Sequence, residues 1–407
     1  MDEPRESMTT LPGQGELNLL DGTWYAQDPH AVWSWLRREA PVYYDANSDV
    51  WGISRHDDIL AVEKNPETFS SCRAPRPHGQ PLPMMISMDN PEHQRRRALV
   101  NRGFTPRRIA GHEARVREIC RSILDNVCER GECDFVWDVA APLPLLLIAD
   151  MLGFDETVHA DLLRWSDDLL RGTTIDPEPD VARAAFDAML GFRECQLRVI
   201  AEHRLDPRDD LISTLCLAEV DGALLDDESI VQETLLILIG GDETTRHVIS
   251  GGLLALMEAP DQRGLLQEGG ADLTVAVEEL LRWVSPVKNM ARTVTEDVII
   301  RDQLLRRGDQ LILFYPSANR DEAVFDDPDS LDVRRDPNPH IAFGFGPHFC
   351  LGAALARLEL RVMVEEVLRR LPNLELAGSG LPYRESNFVS GLEAMPVRFT
   401  PSPREGP

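Results

Sequence analysis

Phe343-Gly344-Phe345-Gly346-Pro347-His348-Phe349-Cys350-Leu351-Gly352 is the stretch that decides how this chain folds. One cysteine sits in a glycine-punctuated loop, and an apolar-periodic helix, Ala353 to Leu371, follows at once. Free backbone N–H groups at a helix start, with the helix dipole behind them, favour negative charge on sulfur. Gly344 and Gly346 permit positive φ, so the loop can turn its N–H groups toward Cys350. Gly352 leaves the helix start bare, so that a flat partner can lie against it. Phe343 can shield the sulfur from water. A lone cysteine here would be an ordinary small core residue; the pattern around it is what sets Cys350 apart.

Two other stretches point the same way. Asp226 or Asp227 caps a predicted helix that runs to Met257 and stops before Pro260. It has roughly 30 residues, about 45 Å at 1.5 Å per residue. Its middle reads Gly240-Gly241-Asp242-Glu243-Thr244-Thr245. Adjacent glycines inside a helix cost about 1 kcal/mol each relative to Ala, which a close approach to a ligand would offset. Thr244 can hydrogen-bond a ligand or water, or capture a backbone carbonyl. Glu243 can relay protons from solvent. Farther on, Glu279-Leu280-Leu281-Arg282 sets an acid and an arginine at i and i+3, by itself a common surface pair.

Together these segments resemble the cytochrome P450 family. The loop matches its haem-binding signature, F-G-x-G-x-H-x-C-x-G, at every fixed position. Gly240 to Thr245 matches G-G-x-[DE]-T-T, with Glu243 where the family more often has Asp, and Glu279 to Arg282 matches ExxR. The resemblance implies a mainly α fold with a smaller β portion and a long central helix over haem b. Cys350 is then the iron's thiolate ligand, and a thiolate favours O–O cleavage. Thr244 and Glu243 are the catalytic acid–alcohol pair. Glu279, Arg282 and Arg335 form a structural cluster that ties the cysteine loop to the helical body. His93, Arg97, Arg292 and His340 surround the haem propionates, and Phe343, Gly344 and Gly352 pack on the haem.

Composition agrees with such an enzyme. A net charge of −27 over 407 residues argues against nucleic-acid binding. Seven cysteines without a CxxC pair suit a reducing cytosol and argue against structural zinc. The acidic N-terminus lacks a signal core, and the longest apolar runs, Leu143–Ala149 and Leu235–Gly241, are too short to span a bilayer. The expectation is a soluble, cytoplasmic protein without a membrane anchor. There is no flavin, nicotinamide or iron–sulfur fingerprint, so electrons must come from outside. The resemblance implies a ferredoxin with its ferredoxin reductase. Arg95, Arg96, Arg107, Arg108, Arg357 and Arg361 are candidate docking cations for it.

The organisation expected is one domain over 1–407. A β-rich portion comes from roughly 42–54 and 292–400, and an α-rich portion from roughly 91–290 and 351–371. Pro29 to Glu39 reads as a helix, and Val42–Tyr44 with Val50–Ser54 as a hairpin. Strands are expected at Arg292–Thr295, Val298–Arg301, Gln310–Leu313 and Val397–Phe399.

Several stretches resemble the actinobacterial steroid side-chain hydroxylases, which act on cholesterol and cholest-4-en-3-one: Leu82–Asp89, Leu235–Gly252, Pro286–Met290, Ser317–Phe325 and Asn387–Glu393. The resemblance places Met84, Met85, Ile86, Ile237, Gly240, Gly241, Val287, Asn289, Met290, Phe388 and Val389 on a mostly apolar sterol channel. It implies hydroxylation of the terminal side-chain methyl with O2, and repeated turnover onward to the acid. Val287, Val389 and the Gly240–Thr244 turn are expected to form the constriction that presents that methyl. The alternatives are a P450 acting on methyl-branched fatty acids or another hydrophobic metabolite, and, in a different class, a non-catalytic haem sensor.

Overall fold

The computed structural model describes residues 17–173, 177–220 and 222–406. Its spine is one helix, Asp227–Glu258, of 32 residues. Asp226 caps it, its carboxylate accepting from the Ser229 N–H at 2.8 Å. The helices Pro142–Met151, His159–Arg171, Leu273–Val284 and Ala353–Arg370 all pack on it. Among the described residues no helix is long and apolar enough to cross a membrane.

The spine serves two cores. Ile230, Val231, Leu235 and Leu238 enter one apolar cluster, and Val248, Ile249 and Leu253 enter another. Between them the helix buries Asp242, Glu243, Arg246 and His247 instead. Apolar burial drives the two ends into place, and the middle, the stretch singled out in the sequence, is given to polar groups.

The sheet lies beside this body. Its five strands run in the order Val42–Asp45, Val50–Ile53, Gln310–Phe314, Asn289–Val294 and Phe69–Ser70. Gln310–Phe314 pairs parallel to Val50–Ile53 and antiparallel to Asn289–Val294, with Leu313 opposite Met290. Side chains alternate across it: Leu311 and Leu313 enter one cluster, Ile312 and Phe314 another. The expected hairpin is present, and the helix over residues 29–39 starts at His30. Asn289–Val294 begins three residues before the expected strand, because Asn289 and Met290 find partners in Phe314 and Leu313. Glu132–Asp134, inside the portion expected to be helical, pairs with Pro396–Arg398.

Candidate active site

The cysteine loop is held from three sides. Gly344 and Gly346 have φ of +66° and +71°, the left-handed region that favours glycine. A Cβ on Gly346 would also lie 2.3 Å from the Glu63 carbonyl oxygen. The Cys350 N–H donates to the Phe343 carbonyl at 2.9 Å. Arg97 donates to the carbonyls of Pro347, at 3.2 Å, and Phe349. Arg357 lies 4.7 Å over the Phe343 ring and forms a bidentate pair with Glu278, both bonds 2.7 Å.

Behind the loop, Glu279 is fully buried and saturated. It takes both Arg282 bonds at 2.7 Å, Arg335 Nε at 3.1 Å, Asn338 Nδ2 at 3.0 Å and the Asp332 N–H at 2.9 Å. Arg282 also donates to the carbonyls of Asn319 and Pro328 at 2.8 Å. The three members expected from the sequence thus meet in one cluster. A buried carboxylate stripped of such partners costs about 3–5 kcal/mol.

One cavity joins Cys350 to the central helix. Of the candidate residues, Met85, Ile86, His93, Arg97, Ile237, Gly240, Gly241, Thr244, Val287, Met290, Arg292, Phe343, Gly344, Cys350, Gly352, Phe388 and Val389 line it. The two glycines differ in role. A Cβ on Gly241 would lie 2.4 Å from Ile148 Cδ1, so Gly241 permits close helix packing. A Cβ on Gly240 would meet nothing within 4 Å, because the cavity opens there. Thr244 Oγ1 donates to the Gly240 carbonyl at 2.8 Å.

Val287 and Val389 form an antiparallel bridge. The flanking bonds, Lys288 N–H to Phe388 carbonyl at 2.7 Å and Ser390 N–H to Pro286 carbonyl at 3.1 Å, make it a non-hydrogen-bonded pair. In such pairs the side chains approach most closely. Two β-branched side chains therefore stand together in the cavity wall.

Other candidates lie elsewhere. His340 Nε2 is 3.1 Å from Glu278 Oε2, outside the cavity lining. The second imidazole on the cavity, besides His93, is His348, and the two rings lie 4.0 Å apart. Its signal was its place two residues before Cys350. Met84 is buried beside the cavity without lining it. Asn289 is fully buried, turned toward Arg76 and Asn387. Glu243 also faces away: one residue turns a helix by about 100°, so Thr244 and Glu243 cannot share a side. Glu243 Oε1 is paired with Arg246 at 3.1 Å, His247 at 3.2 Å, and Arg384. It is fully buried and does not meet solvent directly. Buried acids that were given no role from the sequence also stand here. Glu359 lines the cavity with Oε2 unpartnered, and Asp242 has neither oxygen bonded.

Electrostatics divides these groups. Burial raises the Glu243 carboxyl, but His247, Arg384 and Arg246 outweigh it and hold the group below its usual value. Burial pushes Asp242 up to about 6 and raises the Glu359 carboxyl well above its usual value. His93 and His348 are lowered to about 4 and about 3, chiefly by burial. Arg97 and Arg292 are the arginines of this rim, with the His93 and His348 imidazoles beside them. Arg292 is 3.1 Å from Glu63 Oε1, which also accepts from Tyr315 at 2.8 Å. Burial pushes the Cys350 thiol up, against the N–H groups of Gly352 and Ala353 and the charges of Arg97 and Arg357. The helix start alone does not make the thiolate; a metal ion would, since it deprotonates a coordinating thiol outright.

These residues fit a haem. Cys350 would supply the sulfur ligand, and the bare faces of Gly352 and Gly240 leave room for a flat ring. Arg97, Arg292, His93 and His348 would face its two carboxylates. The arginines expected to dock an electron donor are less uniform: Arg96 lies 3.7 Å from buried Glu233, Arg361 pairs with Glu113, and Arg108 with Asp209.

Comparison with known proteins agrees. Residues 273–388 match the family model for cytochrome P450. The chain is 48% identical over 402 residues to a steroid C26-monooxygenase of Mycobacterium tuberculosis, covering 98% of this chain and 100% of that protein. It is 36% identical over 413 residues to a methyl-branched lipid omega-hydroxylase of the same species, covering 95% and 94%. The crystal structure of CYP109E1 from Bacillus megaterium in complex with corticosterone superposes with a TM-score of 0.84 at 34% identity, covering 92% of this chain and 98% of that one. With the thiol loop, the saturated ExxR cluster and the glycine-opened helix in place, the chain belongs to the cytochrome P450 family and is a haem-thiolate monooxygenase.

Proposed function

We propose that this enzyme hydroxylates the terminal methyl of a sterol side chain, with cholest-4-en-3-one or cholesterol as substrate. The observation that carries the reading is the paired Val287 and Val389 in a mostly apolar cavity, on the same lining as Gly240 and Thr244. A branched tail offers a weaker tertiary C–H bond than its terminal methyl. Oxidation at the end therefore needs walls that admit only the methyl to the reacting position. Identity to a steroid C26-monooxygenase over nearly the whole chain supports the same substrate class.

The bound haem supplies O2 reduction by two electrons, with one oxygen atom inserted into a C–H bond and the other released as water. The protein's part is proton delivery and positioning. Thr244 holds its hydroxyl at the cavity edge and can turn Oγ1 from the Gly240 carbonyl to a ligand. Glu243 can reach that site only through a shift of its ion pairs with Arg384, Arg246 and His247. Electrons come from a ferredoxin with its reductase, in the cytoplasm. Exposed Phe345 and Phe349 beside Cys350, with Lys64 5.3 Å from the Phe345 ring, support docking there. Repeated turnover carries the alcohol to the acid.

The test is product analysis with cholest-4-en-3-one, O2 and a surrogate ferredoxin system. Terminal alcohol is expected from the wild type. Val287→Ala should move a measurable share of product to the tertiary carbon, and unchanged regiochemistry would count against the constriction. A methyl-branched lipid is the second substrate to try, because the 36% identical relative bears that name.

A further inference from the structure

We propose that Arg76 is a positioning residue that fixes the shape of the cavity wall facing the reacting end of the substrate. Three segments of that wall meet at its guanidinium. Pro75, the preceding residue, lines the cavity, and its carbonyl accepts from the Ala291 N–H at 3.0 Å. Asn289, beside cavity-lining Met290, gives its side-chain oxygen to Arg76 Nη1 at 2.6 Å. Asn387 gives its side-chain oxygen to Nη2, and the ring of the next residue, Phe388, lies 4.5 Å from the guanidinium. Asn289 Nδ2 closes the ring of contacts by donating to the Asn387 carbonyl at 2.7 Å.

The charge balance here is unusual. Arg76 is 7% exposed, and among the described residues no carboxylate pairs with it; the one titratable group acting on it is Tyr25. A buried guanidinium without an anion is costly, so tying segments together is not its simplest solution; two hydrophobic residues would do that. What only arginine offers is a flat fork that donates to two segments while its face stacks on an aromatic ring. Phe388 is thereby clamped in one orientation, and the Val287–Val389 bridge sits one residue after Phe388 and two before Asn289. Lysine keeps the charge and loses both the fork and the flat face.

This inference rests on the reading that Val287 and Val389 face the substrate, and its test does not need a sterol. Holoenzymes of the wild type, Arg76→Lys and Arg76→Met are compared for haem content, for amide hydrogen exchange over residues 286–291 and 385–391, and for 4-phenylimidazole affinity from the Soret band. Haem content should stay at the wild-type level. Exchange in both segments should rise, and azole affinity should fall, each by about tenfold, in Lys as in Met. With cholest-4-en-3-one, product should shift toward the tertiary carbon. Exchange and azole affinity within about twofold of wild type in both variants would overturn the proposal. So would full rescue by Lys. If the Met variant takes up no haem, Asn387→Ala decides instead: it removes one acceptor of Arg76 and a bond to the Leu20 carbonyl, leaves the lining side chains alone, and should give the same pattern. Failure of any sterol to bind the wild type would sink the substrate reading and leave these comparisons intact.

Discussion

Thr244 and Glu243 stand side by side in sequence and on different sides of a helix. Thr244 lines the cavity; Glu243 is sealed among Arg246, His247 and Arg384. In the proposed function the hydroxyl is therefore the nearer candidate for proton relay, and Glu243 could serve it only after its ion pairs shift. Thr244→Ala should leave substrate binding within about twofold of wild type while diverting reducing equivalents into peroxide. Peroxide formed per reducing equivalent is the measurement, and full coupling in the variant would refute the role. Glu233, on the same helix, shows how burial sets a pH response. Its carboxyl accepts from the Met85 N–H at 3.1 Å, has Arg96 at 3.7 Å, and is pushed by burial to about 7. A carboxyl raised in the fold contributes stability that is complete below its unfolded value of 4.5 and is lost as pH rises through about 7. Glu233→Gln removes that loss. Its melting temperature should gain on the wild type as pH climbs through this window, and parallel melting curves would show that Glu233 does not titrate there.

Two adjacent glycines of the central helix make opposite predictions, because their surroundings differ. An alanine at either gains about 1 kcal/mol of helix propensity. At Gly240 the added methyl meets open cavity, so Gly240→Ala should raise the melting temperature and weaken ligand binding. At Gly241 it would press on Ile148 at 2.4 Å, so Gly241→Ala should lower the melting temperature. Thermal unfolding of both variants decides, and a shift of the same sign in the two would contradict the packing described. The same logic applies to the cysteine loop, where Gly346 combines a positive φ with a close approach to Glu63.

At the scale of the molecule, much of this was legible in the chain. Local signals carried furthest: Asp226 as a cap, the glycine-punctuated loop, and the i, i+3 acid and arginine at Glu279 and Arg282. What failed was anything set by a distant partner. Asn289 looked like a channel residue, and its side chain goes to Arg76, which is 213 positions earlier in sequence. His340 looked like a haem contact, and it is drawn to Glu278, whose other partner is Arg357. His348, inside the quoted motif, was passed over because spacing alone does not say which imidazole turns inward. Glu243 reads from the sequence as a relay of protons from solvent; its burial among ion pairs was not legible, because Arg384 reaches it from the other end of the chain. The strand Glu132–Asp134 was missed for the same reason, since its partner is Pro396–Arg398.

In the proposed function, the cavity beside Cys350 takes a sterol by its side chain. Titrating the purified ferric protein with cholest-4-en-3-one while following the Soret band tests it most directly. A saturable low-spin to high-spin shift is expected. A thiolate-type haem spectrum that does not move at saturating sterol would contradict it.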